Sequence, residues 1–298
     1  MIKLRIPASS ANMGAGFDTL GVAVGLYNRI SVEEIDRGLE IVNKDTHSFT
    51  VQNEHNLIYR AMLEVFGNVG YEPKGYRIIQ DSSIPMTRGL GSSSACIIGG
   101  MLAANIISGR PLSYKEIVHL AAKMEGHPDN VGPALFGGFC VSLTEGDRTI
   151  VKSVKLENNI KFAVVVPDFF VATRKSRGAL PERVDFRDAV YNIGHATMFH
   201  AAMISGDMET LRTAVGDKMH QQYRKNYIEG MENIFEKTYS LGSHATYLSG
   251  SGPAIVSVLS GNYNKFRVGM QKYLRENSLK WKCMILPIDN VGAVVSQI

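Results

Sequence analysis

The chain has 298 residues, enough for one large or two ordinary domains, and at 45% apolar and 20% charged it has the composition of a packed globule, not a disordered polymer. A net charge of +4 with no run of five like charges excludes a nucleic-acid-binding arm. Three scattered cysteines, Cys96, Cys140 and Cys283, make neither a disulfide framework nor a zinc cluster, and no apolar run reaches the length of a membrane span. The amino terminus, MIKLRIPASS, reads as a strand, not a signal peptide, so a soluble cytoplasmic protein is expected.

Ile2 to Ile6 alternates apolar and basic residues, the period of a half-buried strand, and Ile30 to Ile35 is a second strand candidate. NLIYRAMLEVF places Leu57, Ile58, Ala61, Met62, Val65 and Phe66 on one helical stripe, and GYRIIQ reads as a strand. Ser93 to Ile107 is almost wholly apolar, which predicts a buried helix. Ser113 and Glu116 have capping-box spacing before another helix, flanked by a Leu112/Ile117 staple. GGFCVSL and KFAVVVPD read as strands. The polar TEGDRTIVKSVKLENNI between them is the best boundary, dividing the chain into 1–155 and 156–298. Helices are expected near Asp185–Ile204, Met208–Met219, Tyr227–Leu241 and Tyr263–Glu276, with strands at Ala254–Leu259 and Cys283–Pro287. Helices and strands mix without strict βαβ alternation, which favours α+β with antiparallel sheets.

The chemistry concentrates in SSIPMTRGLGSSSACIIGG, Ser82 to Gly100. A helix N-terminus carries unpaired N–H groups and a partial positive charge, and glycine lets backbone approach an anion closely. Gly89, Gly91 and the amides of Ser92 to Ser94 can form such a cradle; a Gly-rich helix entry with a serine cap fits the spacing nearly as well. The loop lacks the lysine of a Walker A motif.

PMTRGLGSSSA resembles the phosphate loop of the GHMP small-molecule kinases. PASSANMGAGFDTLGVA, Pro7 to Ala23, resembles that family's first motif, and LSGSGPAIVSVL, Leu248 to Leu259, its glycine-rich third. MEGHPDNVGPALFGG, TRKSRGALP and DKMHQQYR are similar to segments of the homoserine kinase branch, although Gly132 and Val294 stand where alanine and arginine are common. The resemblance implies an α+β, two-domain fold: an N-terminal domain like domain 2 of ribosomal protein S5, a ferredoxin-like C-terminal domain, and a cleft between them.

It also implies the site. Pro85, Arg88, Gly89, Leu90, Gly91, Ser92, Ser93 and Ser94 would hold ATP, with Asn56 near adenine or serving as a helix cap. Mg²⁺ would sit on Ser94, with Ser93 the alternative, and on Glu125. Arg177 and Arg224 would fork the carboxylate of L-homoserine, Asp18 would take its ammonium, and Asn12, His127 and Asn130 would line the pocket. Thr173 would hold a water or another side chain, or serve as a turn residue. Each is an ordinary surface or turn residue when read alone. The implied reaction moves the γ-phosphoryl of ATP to the homoserine hydroxyl, a step toward threonine. Asn130 has no useful basicity, so no side-chain base is expected; Asp129 is the alternative, although neighbours usually point apart. A mevalonate- or sugar-type kinase and a non-catalytic sensor are the rival readings, and a homodimer is a candidate assembly.

Overall fold

The structure is a computed structural model describing residues 1–44 and 50–297. The chain opens with β1 (Ile2–Ala11) and β2 (Leu20–Ile35), followed by β3 (Leu39–Asn43), α1 (Leu57–Val69) and β4 (Gly75–Ser82). Next come α2 (Ser92–Ile107), α3 (Tyr114–Glu125), α4 (Val131–Phe136), β5 (Phe139–Glu145) and β6 (Arg148–Val154). These strands form one sheet in the order β1-β2-β4-β3, with β5 paired to β2 and β6 to β5, antiparallel except for β3–β4.

β1 alternates as expected only at its start, where Ile2, Leu4 and Ile6 are buried and Lys3 is exposed. From Ile6 to Ala11 every residue is buried, because here the strand runs into the contact with the second half of the chain. That is why alternation stops at Ile6 while the strand goes on to Ala11. β2 begins ten residues before Ile30, and Leu20 to Val24, held between β1 and β5, are buried without alternation. α1 turns the predicted stripe inward: Ile58, Ala61, Met62, Val65 and Phe66 are all buried. α2 is buried on nearly all sides after its first turn and crosses α1 at Gly100, where a Cβ would meet Ile58 O at 2.3 Å. α3 shows the full capping box, Ser113 Oγ accepting from Glu116 N and the Glu116 carboxylate accepting from Ser113 N.

The polar segment after β5 contains a strand that composition concealed. β6 folds back on β5 around Gly146 and Asp147, and the chain crosses to a second sheet after Val154. That half contains β7 (Lys161–Val166), α5 (Thr173–Gly178), α6 (Phe186–Ser205), α7 (Leu211–Ala214), α8 (Gln221–Arg224), α9 (Met231–Ser240), β8 (Ala245–Leu248), β9 (Ile255–Leu259), α10 (Tyr263–Glu276) and β10 (Lys282–Pro287). Its antiparallel sheet runs β10-β7-β9-β8, with α9 and α10 packed against it. The final strand, β11 (Val294–Gln297), returns to the first sheet and pairs with β1.

The helix expected over Met208–Met219 is a single turn, α7. Asp217 ends the segment by binding the backbone N–H groups of Met219, His220 and Gln221, which starts α8 instead. The helix expected from Tyr227 begins at Met231, after Gly230 takes a left-handed turn. β3, β8 and β11 went unpredicted. They are four or five residues long, and β8 is buried throughout, so no alternation marks it.

Candidate functional site

The cleft between the two halves, with a volume of about 300 Å³, is lined by residues from nine separate segments of sequence. One side is the turn from β4 into α2. Gly91 sits at φ +65° immediately before α2, and a Cβ there would lie 2.0 Å from Ser9 Oγ and 3.0 Å from Asn130 Oδ1. Among the described residues no side chain caps this helix, which leaves the amides of its first turn open to an anion. The third glycine motif buttresses the turn from below: Ser249 Oγ donates to Gly89 O at 2.6 Å, and Ala254 N to Arg88 O at 3.1 Å.

Leu90, Gly91, Ser92 and Ser93 line the cleft as expected, and Glu125 faces them. Ser93 Oγ donates to Glu125 Oε1. This corrects the preference for Ser94. One helical step of about 100° turns Ser94 into the core, where it is fully buried and its Oγ has no partner among the described residues. Pro85 lies outside the lining. Arg88 borders the cleft, but its guanidinium donates to Pro167 O at 3.1 Å and Asp168 O at 2.6 Å, strapping the loop to the second half. Asn56 is the N-cap of α1: its Oδ1 accepts from Ile58 N and Tyr59 N, and its Nδ2 donates to Val51 O. Cys96 lines the same wall, yet burial pushes its thiol up to about 12, so it offers no thiolate nucleophile near neutrality.

The other side collects charge. Asn12 Nδ2 donates to Gly250 O at 2.9 Å, and its Oδ1 accepts from Asp18 N at 3.0 Å. Asn12 and Asp18 both adopt positive φ, so this turn is set by its side chains as well as by its glycines. Arg177, from α5, forks onto Asp18 at 2.7 and 3.0 Å. Arg224 lies behind them at the end of α8, only 2% exposed. It donates to Gly250 O at 3.0 Å and Ser176 O at 3.4 Å, and among the described residues it forms no ion pair. Burial and repulsion by Arg177 lower its pKa to about 10. Both guanidiniums approach the Phe17 ring, Arg177 at 5.5 Å and Arg224 at 5.3 Å from its centroid.

His127, Asp129 and Asn130 meet at the floor. His127 Nδ1 and Asp129 Oδ1 are 2.5 Å apart, and Ser9 Oγ donates to Asn130 Oδ1 at 2.8 Å. Burial opposes the imidazolium of His127, but the hydrogen bond and charge of Asp129 outweigh it and raise the pKa above 6.5. Asp129 and Asn130 both line the cleft, against the expectation that neighbours point apart. They occupy the turn entering α4, where Gly132 N donates to Pro128 O, so successive side chains diverge by about 100° instead of the 180° of a strand. Thr173 Oγ1 reaches Ser251 Oγ at 3.3 Å across the mouth.

Ser9, Phe17, Gly250 and Ser251 also line or brace the cleft, and sequence reasoning assigned them no role. All four lie inside motifs that were already recognised. Asp217, which packs behind Arg224, lay in a stretch read as helix, and His220 lay in the DKMHQQYR segment without a role of its own.

The chain matches the models of the GHMP kinase N-terminal domain over residues 56–138 and the GHMP kinase C-terminal domain over residues 199–268. It is 45% identical to a homoserine kinase of Caldicellulosiruptor saccharolyticus, with 99% of this chain and 96% of the relative covered. Identity to a homoserine kinase of Clostridium botulinum is 42%, over 99% and 98%. The fold matches the crystal structure of homoserine kinase from Cytophaga hutchinsonii with a TM-score of 0.88 at 24% identity, over 99% of this chain and 97% of that one. With a phosphate-loop turn facing a two-arginine pocket and relatives this similar along its full length, the chain belongs to the homoserine kinase family of the GHMP small-molecule kinases.

Proposed function

We propose that the chain transfers the γ-phosphoryl group of ATP to the side-chain hydroxyl of L-homoserine, giving O-phospho-L-homoserine and ADP, as a step toward threonine in the cytoplasm. The carrying observation is Arg224, a buried cation with no carboxylate partner among the described residues. An unpaired buried charge is costly, and a ligand carboxylate supplies the missing counter-ion. Beside it the Arg177–Asp18 pair offers the complementary arrangement, a second guanidinium for the carboxylate and an acid for the ammonium. The free amides at the start of α2 suit the triphosphate.

Ser93 and Glu125 present adjacent hard oxygen donors at the phosphate turn, the ligand chemistry Mg²⁺ takes. When bound there, Mg²⁺ neutralises phosphate charge. The chain's own residues hold the reactants in line, which is the main requirement of a loose phosphoryl-transfer transition state. Asn130 orients the acceptor hydroxyl, with its amide fixed by Ser9. Asp129 is already engaged by His127, so no free side-chain base stands at the hydroxyl, and the proton leaves through phosphate or water. Thr173 closes the mouth against Ser251. We place the domain division near residue 155, with β11 crossing back to the first sheet.

We also propose that the chain forms a homodimer through α6. Its outer face exposes Phe186, Val190, Ile193 and, three turns on, Ile204, with no Asp, Glu, Lys or Arg from Ala189 to Gly206. A monomer by sedimentation equilibrium at micromolar concentration removes this proposal. The activity itself is tested by ADP release with L-homoserine, with and without Mg²⁺, against a panel of other alcohols. L-homoserine should be the preferred acceptor. Equal turnover with mevalonate or sugars, or binding without turnover, contradicts the assignment.

A further inference from the structure

We infer that His220 is the positioning residue for Arg224: a neutral imidazole, with its proton on Nε2, supplies the acceptor that fixes the guanidinium beside the cleft. The inference rests on the reading of Arg224 as the carboxylate clamp. His220 is completely buried. Its Nε2 lies 2.8 Å from Gly14 O, and its Nδ1 lies 3.2 Å from Arg224 Nη1. A carbonyl accepts and a guanidinium donates, so these two contacts are satisfied together by one tautomer: Nε2–H donates to Gly14 O, and the Nδ1 lone pair accepts from Arg224. The imidazole thereby links the first motif's turn to the arginine, while Gly250 O accepts from both Asn12 Nδ2 and Arg224 Nη1.

Protonating His220 replaces that lone pair with a second donor and places cation against cation at 3.2 Å. The charged groups around the ring are Arg224 on its own helix, Asp217 at 3.7 Å before it, and Asp18 from the turn after β1. Burial dominates and, with Arg224, holds the pKa below 6.5 against the pull of Asp217. Phe17 closes the remaining side, its ring centroid 5.4 Å from that of His220. Homoserine affinity is therefore expected to fall as the pH drops below 6.5, while the neutral form persists above it.

The full chain is titrated with L-homoserine and with 3-aminopropan-1-ol, which lacks the carboxylate, and steady-state constants are measured from pH 8 down to about pH 5. In His220→Ala the KM for L-homoserine should rise about 10- to 100-fold, the loss of a hydrogen bond to a charged group, while kcat stays within about threefold. Affinity for 3-aminopropan-1-ol should not change. His220→Asn places an amide oxygen near the Nδ1 position without a titrating group. It should recover most of the affinity and flatten the acid limb, whereas acid losses arising at His127 would remain. Equal KM values in wild type, His220→Ala and His220→Asn, or an acid limb unchanged in His220→Asn, overturn the inference. Where His220→Ala does not fold, the wild-type and His220→Asn pH profiles decide. Wild-type chain that binds both ligands equally shows instead that Arg224 is no carboxylate clamp, and the inference falls with that reading.

Discussion

The two sides of the cleft handle charge in opposite ways. The turn into α2 presents main-chain amides, few ionised side chains and a helix end with no side-chain cap among the described residues. The other side presents two ion pairs, Asp18–Arg177 and His127–Asp129, and the buried Arg224. A triphosphate spreads its charge over many oxygens, and a row of backbone donors suits it at low desolvation cost. An amino acid carries one charge of each sign on a single carbon, and separating them requires fixed side chains of both signs. The first side therefore depends on the absence of side chains, and the second on their placement.

Substitution can break that contrast. The largest effect is expected at the turn: Gly91→Val puts a branched side chain where a Cβ would lie 2.0 Å from Ser9 Oγ, at φ +65°. Turnover should fall by about 10³-fold or more with the fold retained by circular dichroism, since misplacing the reactants alone costs about 10²-fold. Wild-type activity in this variant would show that the turn does not hold the nucleotide.

On the acceptor side, Arg224→Ala should raise the KM for L-homoserine by about 100-fold or more while leaving nucleotide affinity within about threefold. Arg224→Lys should not restore it, because an ammonium lacks the planar fork. A parallel loss of nucleotide affinity would erase the distinction between the two sides.

At the floor, where the sides meet, Asn130→Ala should lower kcat about 10²-fold, whereas Asp129→Asn should lower it less than about tenfold if no general base operates. Abolished chemistry in Asp129→Asn, with homoserine still bound, would assign the base to Asp129. The smallest effect is on stability. Burial opposes the charge of Asp217, but His220 and the backbone amides of Gln221 and Met219 more than compensate, leaving its pKa below 3.8. Asp217→Asn should lower the melting temperature by several degrees at pH 7, roughly 2 kcal/mol for charge-assisted hydrogen bonds. That difference persists above pH 3.8 and is lost as the pH falls through the folded-state value, because protonation removes the same charge in wild type. A difference that grew on acidification would contradict the assignment.

What could be read without the structure follows the same division. The capping box at Ser113, the stripe on α1 and the glycine turn into α2 are local, each fixed by backbone rules acting over a few residues, so their spacing carries them. Motif resemblance added the distant partners by name, Asp18, Arg177 and Arg224, but not their contacts. That Arg177 rests on Asp18, that Ser93 and not Ser94 faces Glu125, and that Arg88 straps the halves together emerge only in three dimensions.

Sequence by itself determined the long helices, most strands and the glycine turn into α2, because hydrophobic period, capping and glycine content act along the chain. Tertiary structure decided which serine faces the cleft, how the terminal strand closes the first sheet, and that Arg224 is buried beside His220 with no ion pair among the described residues. Those outcomes depend on packing and desolvation among segments that lie far apart in the chain, the terminal strand pairing Gln297 with Ile2, which no local pattern encodes.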